Sequence, residues 1–85
     1  MSIGIISLTY GTIPEREVFD RKFNNVSGLS NTITFTNDER FGTDTVSVEE
    51  LWHELLIAIT MYNNGNEQAG RWVSDVLFCL GIEWI

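Results

Sequence analysis

His53 and Glu54 are adjacent residues that could together activate water at a metal ion, and they are the first candidates for chemistry in this chain. A zinc-protease helix carries a second His four residues after the first, but Ile57 occupies that position. The only cysteine, Cys79, stands far from the only histidine in sequence, without the close ligand spacing of a structural zinc site. We therefore expect no bound metal and no cofactor.

Paired carboxylates are the second kind of candidate, because general acid–base catalysis often uses two of them. Asp38-Glu39 and Glu49-Glu50 are such pairs, but adjacent acids are typical of a polar turn and of a solvated helix start. No phosphate-binding glycine loop or nucleophile motif accompanies them. We therefore expect no enzymatic activity. The alternative is a small hydrolase or ligand-binding domain built around Tyr10, Asp38, Glu39 and His53.

The second half of the chain predicts two helices, residues 48–62 and 66–80, joined by a short connection. Ser47 and Glu50 match a capping box, and Asn66 is a suitable cap for the second helix. Asn63-Asn64-Gly65 predicts the end of the first helix, since Asn and Gly adopt left-handed backbone at low cost. Each helix carries an apolar stripe on one side; the two stripes are Val48, Leu51, Trp52, Leu55, Leu56, Ile59 and Tyr62, and Ala69, Trp72, Val73, Val76, Leu77 and Leu80.

The first half predicts strands at residues 2–10 and 31–37. Between them, Thr12 with Pro14 predicts the start of a helix that buries Val18, Phe19 and Phe23, although residues 16–23 also fit a strand. Within residues 31–36, apolar Ile33 and Phe35 alternate with threonines, which predicts that these two side chains face inward.

These elements predict one domain, residues 1–85, of the α+β class. A small antiparallel sheet of residues 2–10 and 31–37, with a third strand near 40–46 as an option, would pack against the C-terminal antiparallel helical hairpin. The apolar tail, residues 82–85, is expected to dock as a short strand or against a partner.

The charge of the chain is unevenly distributed. Twelve acidic and five basic side chains give a net charge of −7, and residues 41–85 contain seven acids against Arg71 alone. Such an acidic half repels phosphate, so we expect no direct binding of nucleic acid or of an anionic membrane. The N-terminal segment lacks the basic start of a secretory signal, and a single Cys79 suits a reducing compartment. These features favour a cytoplasmic protein, bacterial or in an infected host cell.

Two apolar residues lie away from the helical stripes. Ile57 is about 180° from Val48 on one helix, and Phe78 is about 180° from Ala69 on the other. Isolated exposed apolar residues are common and need no function. The alternative is an apolar patch with an acidic rim that binds a protein partner; its predicted residues are Glu50, Glu54, Ile57, Met61, Asp75, Phe78, Glu83, Trp84 and Ile85.

The resulting hypothesis is a small acidic interaction module that docks on a protein with a basic surface. In size and charge the chain resembles small acidic phage-encoded inhibitors, and this resemblance implies that carboxylates occupy a basic nucleic-acid groove. The alternative is a structural or assembly subunit, for example a small virion component, whose apolar patch is buried by homo-oligomerisation.

Overall fold

The structure, a computed structural model, describes residues 5–35 and 45–85. Among these residues the secondary structure elements follow in this order along the chain: β1 (Ile6–Leu8), α1 (Arg16–Ser27), β2 (Thr32–Thr34), β3 (Thr45–Ser47), α2 (Val48–Asn63), α3 (Glu67–Cys79) and β4 (Ile82–Trp84). The α2–α3 pair packs against short strands, and this confirms the predicted α+β class.

The helical hairpin of α2 and α3 agrees closely with its prediction. Ser47 Oγ accepts a hydrogen bond of 3.1 Å from the Glu50 amide, and Asn66 Oδ1 accepts one of 3.1 Å from the Ala69 amide. These caps satisfy amides that have no partner inside a helix. Gly65 has a φ of 108°, a left-handed conformation that costs a glycine little and turns the chain between the helices. Both predicted apolar stripes are buried or half-buried.

Helix α1 confirms the helical alternative for residues 16–23, but its predicted start at Thr12 is wrong. Glu15 is the N-cap residue, has extended backbone and makes no side-chain cap. Thr12 instead lies in a turn, where its amide bonds to the Thr9 carbonyl at 3.0 Å and its carbonyl accepts from Trp84 Nε1 at 3.1 Å. Pro14 also disfavours helical backbone at the residue before it, so the helix begins later.

The strands pair differently from the predicted single sheet. β2 and β3 form an antiparallel pair in which Ile33 opposes Val46, and Ile33 and Phe35 are partly buried as predicted. β1 does not join this pair in the described part of the chain. It pairs in parallel with β4, with Ile6 opposite Ile82 and Leu8 opposite Trp84. The C-terminal tail therefore docks as a short strand, one of the two predicted outcomes. β3 overlaps the end of the optional strand near residues 40–46. Residues 40–44 lie outside the described residues.

The core lies between the helical hairpin, α1 and the two strand pairs. Phe19 and Phe23 from α1 are fully buried in this core, and the Phe19 ring packs against Trp52 of α2 with ring centroids 5.0 Å apart. Ile82 is also fully buried, which explains why the short β1–β4 pair is held despite having only three residues in each strand. The fold therefore leaves one side of α2 and one side of α3 facing solvent.

Candidate interaction surface

One solvent-facing row of α2 combines acidic and apolar side chains. Glu50, Glu54, Ile57 and Met61 follow one another at spacings of four, three and four residues, which places them along one side of the helix. Ile57 is 41% exposed and Met61 is 37% exposed. The predicted outward position of Ile57 is therefore confirmed, and Met61 lies on the same exposed side. We call these four residues the α2 row.

A shallow apolar concavity lies at the C-terminal half of the α2 row. It has a volume of about 290 Å³ and is lined by Leu56, Ile57, Thr60 and Met61. The Thr60 hydroxyl donates to the Leu56 carbonyl at 2.9 Å, within its own helix. A hydroxyl satisfied by its own backbone has less need of solvent. The concavity is therefore an apolar site of a kind that binds an apolar side chain of a partner.

The N-terminal half of the row carries the negative charge. Glu50 is exposed and Glu54 is half-buried, one helical turn apart. The adjacent Glu49 is engaged elsewhere, because Arg16 bonds to both of its carboxylate oxygens and also to Asp20 Oδ1 at 2.7 Å. The Arg16 guanidinium lies 5.5 Å from the centre of the Trp52 ring.

This ion pair shifts the titration of both partners. Hydrogen bonding from Arg16 holds the pKa of Glu49 below its ordinary value, and hydrogen bonding to Glu49 raises the pKa of Arg16. Both groups therefore stay charged at neutral pH, and the Glu49 carboxylate is paired with Arg16 within the protein. The exposed carboxylate of the α2 row is that of Glu50, and the half-buried Glu54 adds a second negative charge one turn further along the helix.

The remaining predicted patch residues do not line the α2 concavity. Phe78, 62% exposed, lies on the outer side of α3 one turn after Asp75, and Ile85, 70% exposed, directly follows β4. Glu83 is half-buried and pairs with Ser7 in the β1–β4 ladder. Since the concavity is lined by α2 residues alone, Phe78 and Ile85 are separate exposed positions on other elements.

The prediction that Trp84 belongs to the exposed patch is wrong. Its side chain is only 6% exposed, packs against Tyr10 and Tyr62, and donates from Nε1 to the Thr12 carbonyl. The parallel pairing of β4 with β1 directs this indole into the core, where its N–H finds a backbone acceptor. Trp84 is therefore not an exposed anchor for a partner. Cys79, near the end of α3, is exposed.

The alternative site around Tyr10 and His53 is not assembled by the described residues. The Tyr10 ring lies 5.1 Å from the Tyr62 ring, near the C-terminal end of α2. His53 is exposed and precedes Tyr62 by nine residues, roughly 14 Å along the helix axis. Asp38 and Glu39 lie outside the described residues. Tyr10 and His53 therefore do not share a site.

Sequence reasoning missed a second concavity, which lies beside the α2–α3 connection. This cleft has a volume of about 440 Å³ and is lined by Tyr10, Tyr62, Glu67, Gln68 and Arg71. The available signal was Gly70, a glycine inside a helix next to the buried Ala69. A glycine at such a position marks a close approach of another group to the helix backbone, and here that group is the Tyr62 ring.

Within residues 5–35 and 45–85, no group of three His, Cys, Asp or Glu side chains is placed to hold a metal ion. None of the helices in these ranges combines the length and the hydropathy that crossing a bilayer requires. Comparison of the chain with protein-family models, curated proteins and solved structures finds no match.

Proposed function

We propose that this protein is a small interaction module that performs no chemistry and docks on a partner protein with a basic surface. The observation that carries the proposal is the α2 row, in which an apolar concavity at Ile57 and Met61 continues directly into Glu50 and Glu54. Apolar contacts at the centre of an interface supply affinity, and charges around them supply selectivity.

Charge complementarity supports a partner with a basic surface. The chain carries a net charge of −7, and between residues 45 and 85 Arg71 is the only basic side chain. A partner with Lys or Arg beside an apolar anchor gains attraction both at long range and at Glu50 and Glu54. A nucleic acid is instead repelled. The preferred occupant of the α2 row is therefore a cationic, amphipathic protein segment.

An inhibitory role follows from the same chemistry. Basic surfaces with exposed apolar or aromatic residues are typical of proteins that bind nucleic acid. A module that covers such a surface with its own carboxylates competes with the phosphate backbone for the same cations. In this proposal the protein acts by occupying the surface and not by modifying it.

Binding of a synthetic probe tests this proposal. The probe is a fluorescent helical peptide with leucines at every third or fourth position flanked by lysines, and its counterpart carries glutamate at each lysine position. We expect the protein to bind the lysine peptide, with a Kd that rises with salt. We expect no binding of the glutamate peptide. Equal binding of the two peptides contradicts the proposal.

A matched pair of variants locates the binding surface. Ile57→Asp adds a negative charge, which favours the lysine peptide, but removes the apolar contact; we expect affinity to fall by about tenfold, the size of a single interface anchor. Val26→Asp makes the same kind of change at another exposed position, on α1, 48% exposed. It should leave the Kd unchanged. If Ile57→Asp binds the lysine peptide as tightly as the wild type, the α2 row is not the binding surface.

Self-assembly is the second candidate, and the exposed Phe78 favours it. A Phe side chain 62% exposed on α3, on a different element from the α2 row, gives the chain two apolar positions that could meet in a closed assembly. The charge of −7 on each copy opposes such an assembly, since like charges approach one another in it. The molar mass in solution distinguishes the two candidates.

A further inference from the structure

The cleft beside the α2–α3 connection has the size and the lining of a small-molecule site. Its volume of about 440 Å³ falls within the range of ordinary ligand pockets, about 300–1,000 Å³. Tyr10 and Tyr62 form an aromatic side, and Glu67, Gln68 and Arg71 from the first turns of α3 form a polar side. It is separate from the α2 row, and none of its lining residues lines the α2 concavity.

The aromatic side is held in place by several contacts. The rings of Tyr10 and Tyr62 pack edge to face with centroids 5.1 Å apart, and both pack on Trp84, at 4.6 and 5.9 Å. The Tyr10 amide donates to the Ile85 carbonyl at 2.9 Å, and Gly70 leaves space for the Tyr62 ring on α3. The two rings therefore present a fixed apolar surface, which reduces the entropy lost when a ligand binds.

The polar side carries one charge of each sign. Glu67 and Arg71 are four residues apart on α3, so their side chains lie on the same side of the helix. Both are exposed, and within residues 5–35 and 45–85 neither forms an ion pair. Each charge is therefore available to a ligand.

The arrangement disfavours ligands with a single sign of charge. A phosphate or a lone carboxylate that approaches Arg71 also approaches Glu67 and is repelled, and a lone cation meets the opposite conflict. A ligand that carries an ammonium group and a carboxylate a few ångströms apart satisfies both. An aromatic ring on the same ligand would pack on the tyrosines with favourable geometry.

We propose that this cleft binds a free aromatic α-amino acid. In this arrangement Arg71 binds the α-carboxylate, Glu67 binds the α-ammonium group, and the ligand ring packs against Tyr10 and Tyr62. For a ligand of this size we expect a Kd on the order of 1 mM. The proposal is independent of the docking function proposed for the α2 row.

Titration with L-phenylalanine and three analogues, followed by amide chemical shifts in NMR spectra, tests the ligand class. N-acetyl-L-phenylalanine lacks the ammonium charge, L-phenylalanine amide lacks the carboxylate, and L-alanine lacks the ring. We expect L-phenylalanine to bind at least about tenfold more tightly than each analogue, the effect of losing one good polar or aromatic contact. No shift changes with L-phenylalanine, or equal binding of any analogue, overturns the proposal.

Variants of the two exposed charged residues test the location. Arg71→Met and Glu67→Gln should each weaken L-phenylalanine binding by about tenfold, the typical effect of losing a charged hydrogen bond. Arg21→Met, which removes an exposed cation from α1, is the matched control and should bind as the wild type does. If Arg71→Met binds as tightly as Arg21→Met, the cleft is not the site. The lysine peptide is measured with the same variants, so that failure here is distinct from failure of the docking proposal.

Discussion

The ring of Tyr62 on α2 lies directly against the backbone of Gly70 on α3. A Cβ at position 70 would lie 2.8 Å from Tyr62 Cε1 and 3.0 Å from Cγ, closer than a real Cβ approaches other atoms. Only glycine fits there while the ring keeps its place. This contact therefore sets how closely the two helices approach at the end of the hairpin near the connection, and it positions one side of the aromatic cleft.

Gly70→Ala should destabilise the protein, although alanine is ordinarily the better helix residue. Displacing the Tyr62 ring should cost about 1–3 kcal/mol, and alanine gains about 1 kcal/mol in helix propensity. We therefore expect a net fall in the unfolding free energy of up to about 2 kcal/mol. Urea denaturation followed by circular dichroism measures the change.

A double variant isolates the cause. In a Tyr62→Ala background the clash is absent, so Gly70→Ala should become stabilising by up to about 1 kcal/mol. Gln68→Ala, at an exposed position of α3, serves as a control within about 0.5 kcal/mol of the wild type. A stabilising effect of Gly70→Ala in the wild-type background would contradict the assigned contact.

The helical hairpin could be predicted from sequence because its signals are local. Ser47, Asn66 and Gly65 act within a few residues of themselves, and each apolar stripe repeats within one helix. Exposure of Ile57 follows from the same periodicity. The α2 concavity could be anticipated to this extent, since all of its lining residues belong to one helix.

The strand pairing and the cleft could not be predicted in this way. Ile6 pairs with Ile82 at the other end of the chain, and no local pattern specifies a partner so distant in sequence. The burial of Trp84 depends on that pairing. The cleft likewise depends on Tyr10 meeting Tyr62, a contact between residues 52 positions apart in the chain. These features arise from tertiary packing and not from local propensity.

The two helix caps should contribute measurably and equally to stability. Ser47→Ala and Asn66→Ala each remove a side-chain oxygen that accepts a hydrogen bond from a helix amide. We expect each to lower the unfolding free energy by about 1 kcal/mol. Asn25→Ala, at an exposed position inside α1, is the matched control and should be neutral or slightly stabilising. Thermal unfolding monitored by circular dichroism gives the comparison.

The Arg16–Glu49 ion pair should make stability depend on acid pH. Because the folded protein lowers the pKa of Glu49 below 4.5, ionised Glu49 stabilises the fold above that pH, and the contribution is lost as pH falls through the lower folded-state pKa. Glu49→Gln should therefore be less stable than the wild type at neutral pH, and the difference should shrink in acid. Added salt should also reduce it, because the pair is exposed. A difference that is independent of pH would contradict the ion pair.

Two nearby isoleucines of α2 should lose very different amounts of stability on a polar substitution. Ile59 is 1% exposed and lies in the core, so Ile59→Ser should lower the unfolding free energy by about 3 kcal/mol or more. Ile57 is 41% exposed, so Ile57→Ser should change it by less than about 1 kcal/mol. Urea denaturation of both variants checks the orientation of α2. Similar losses for the two variants would mean that the Ile57 side is buried in solution.

Molar mass in solution, measured by light scattering at low and high salt, tests most directly whether the α2 row is left open for a partner. If the α2 row is open, the protein is a monomer of 9.7 kDa at micromolar concentration under both conditions. Wild type, Ile57→Asp and Val26→Asp should then have the same mass. A wild-type dimer that Ile57→Asp dissociates and Val26→Asp leaves intact would contradict an open α2 row, because a second copy of the chain would already occupy it.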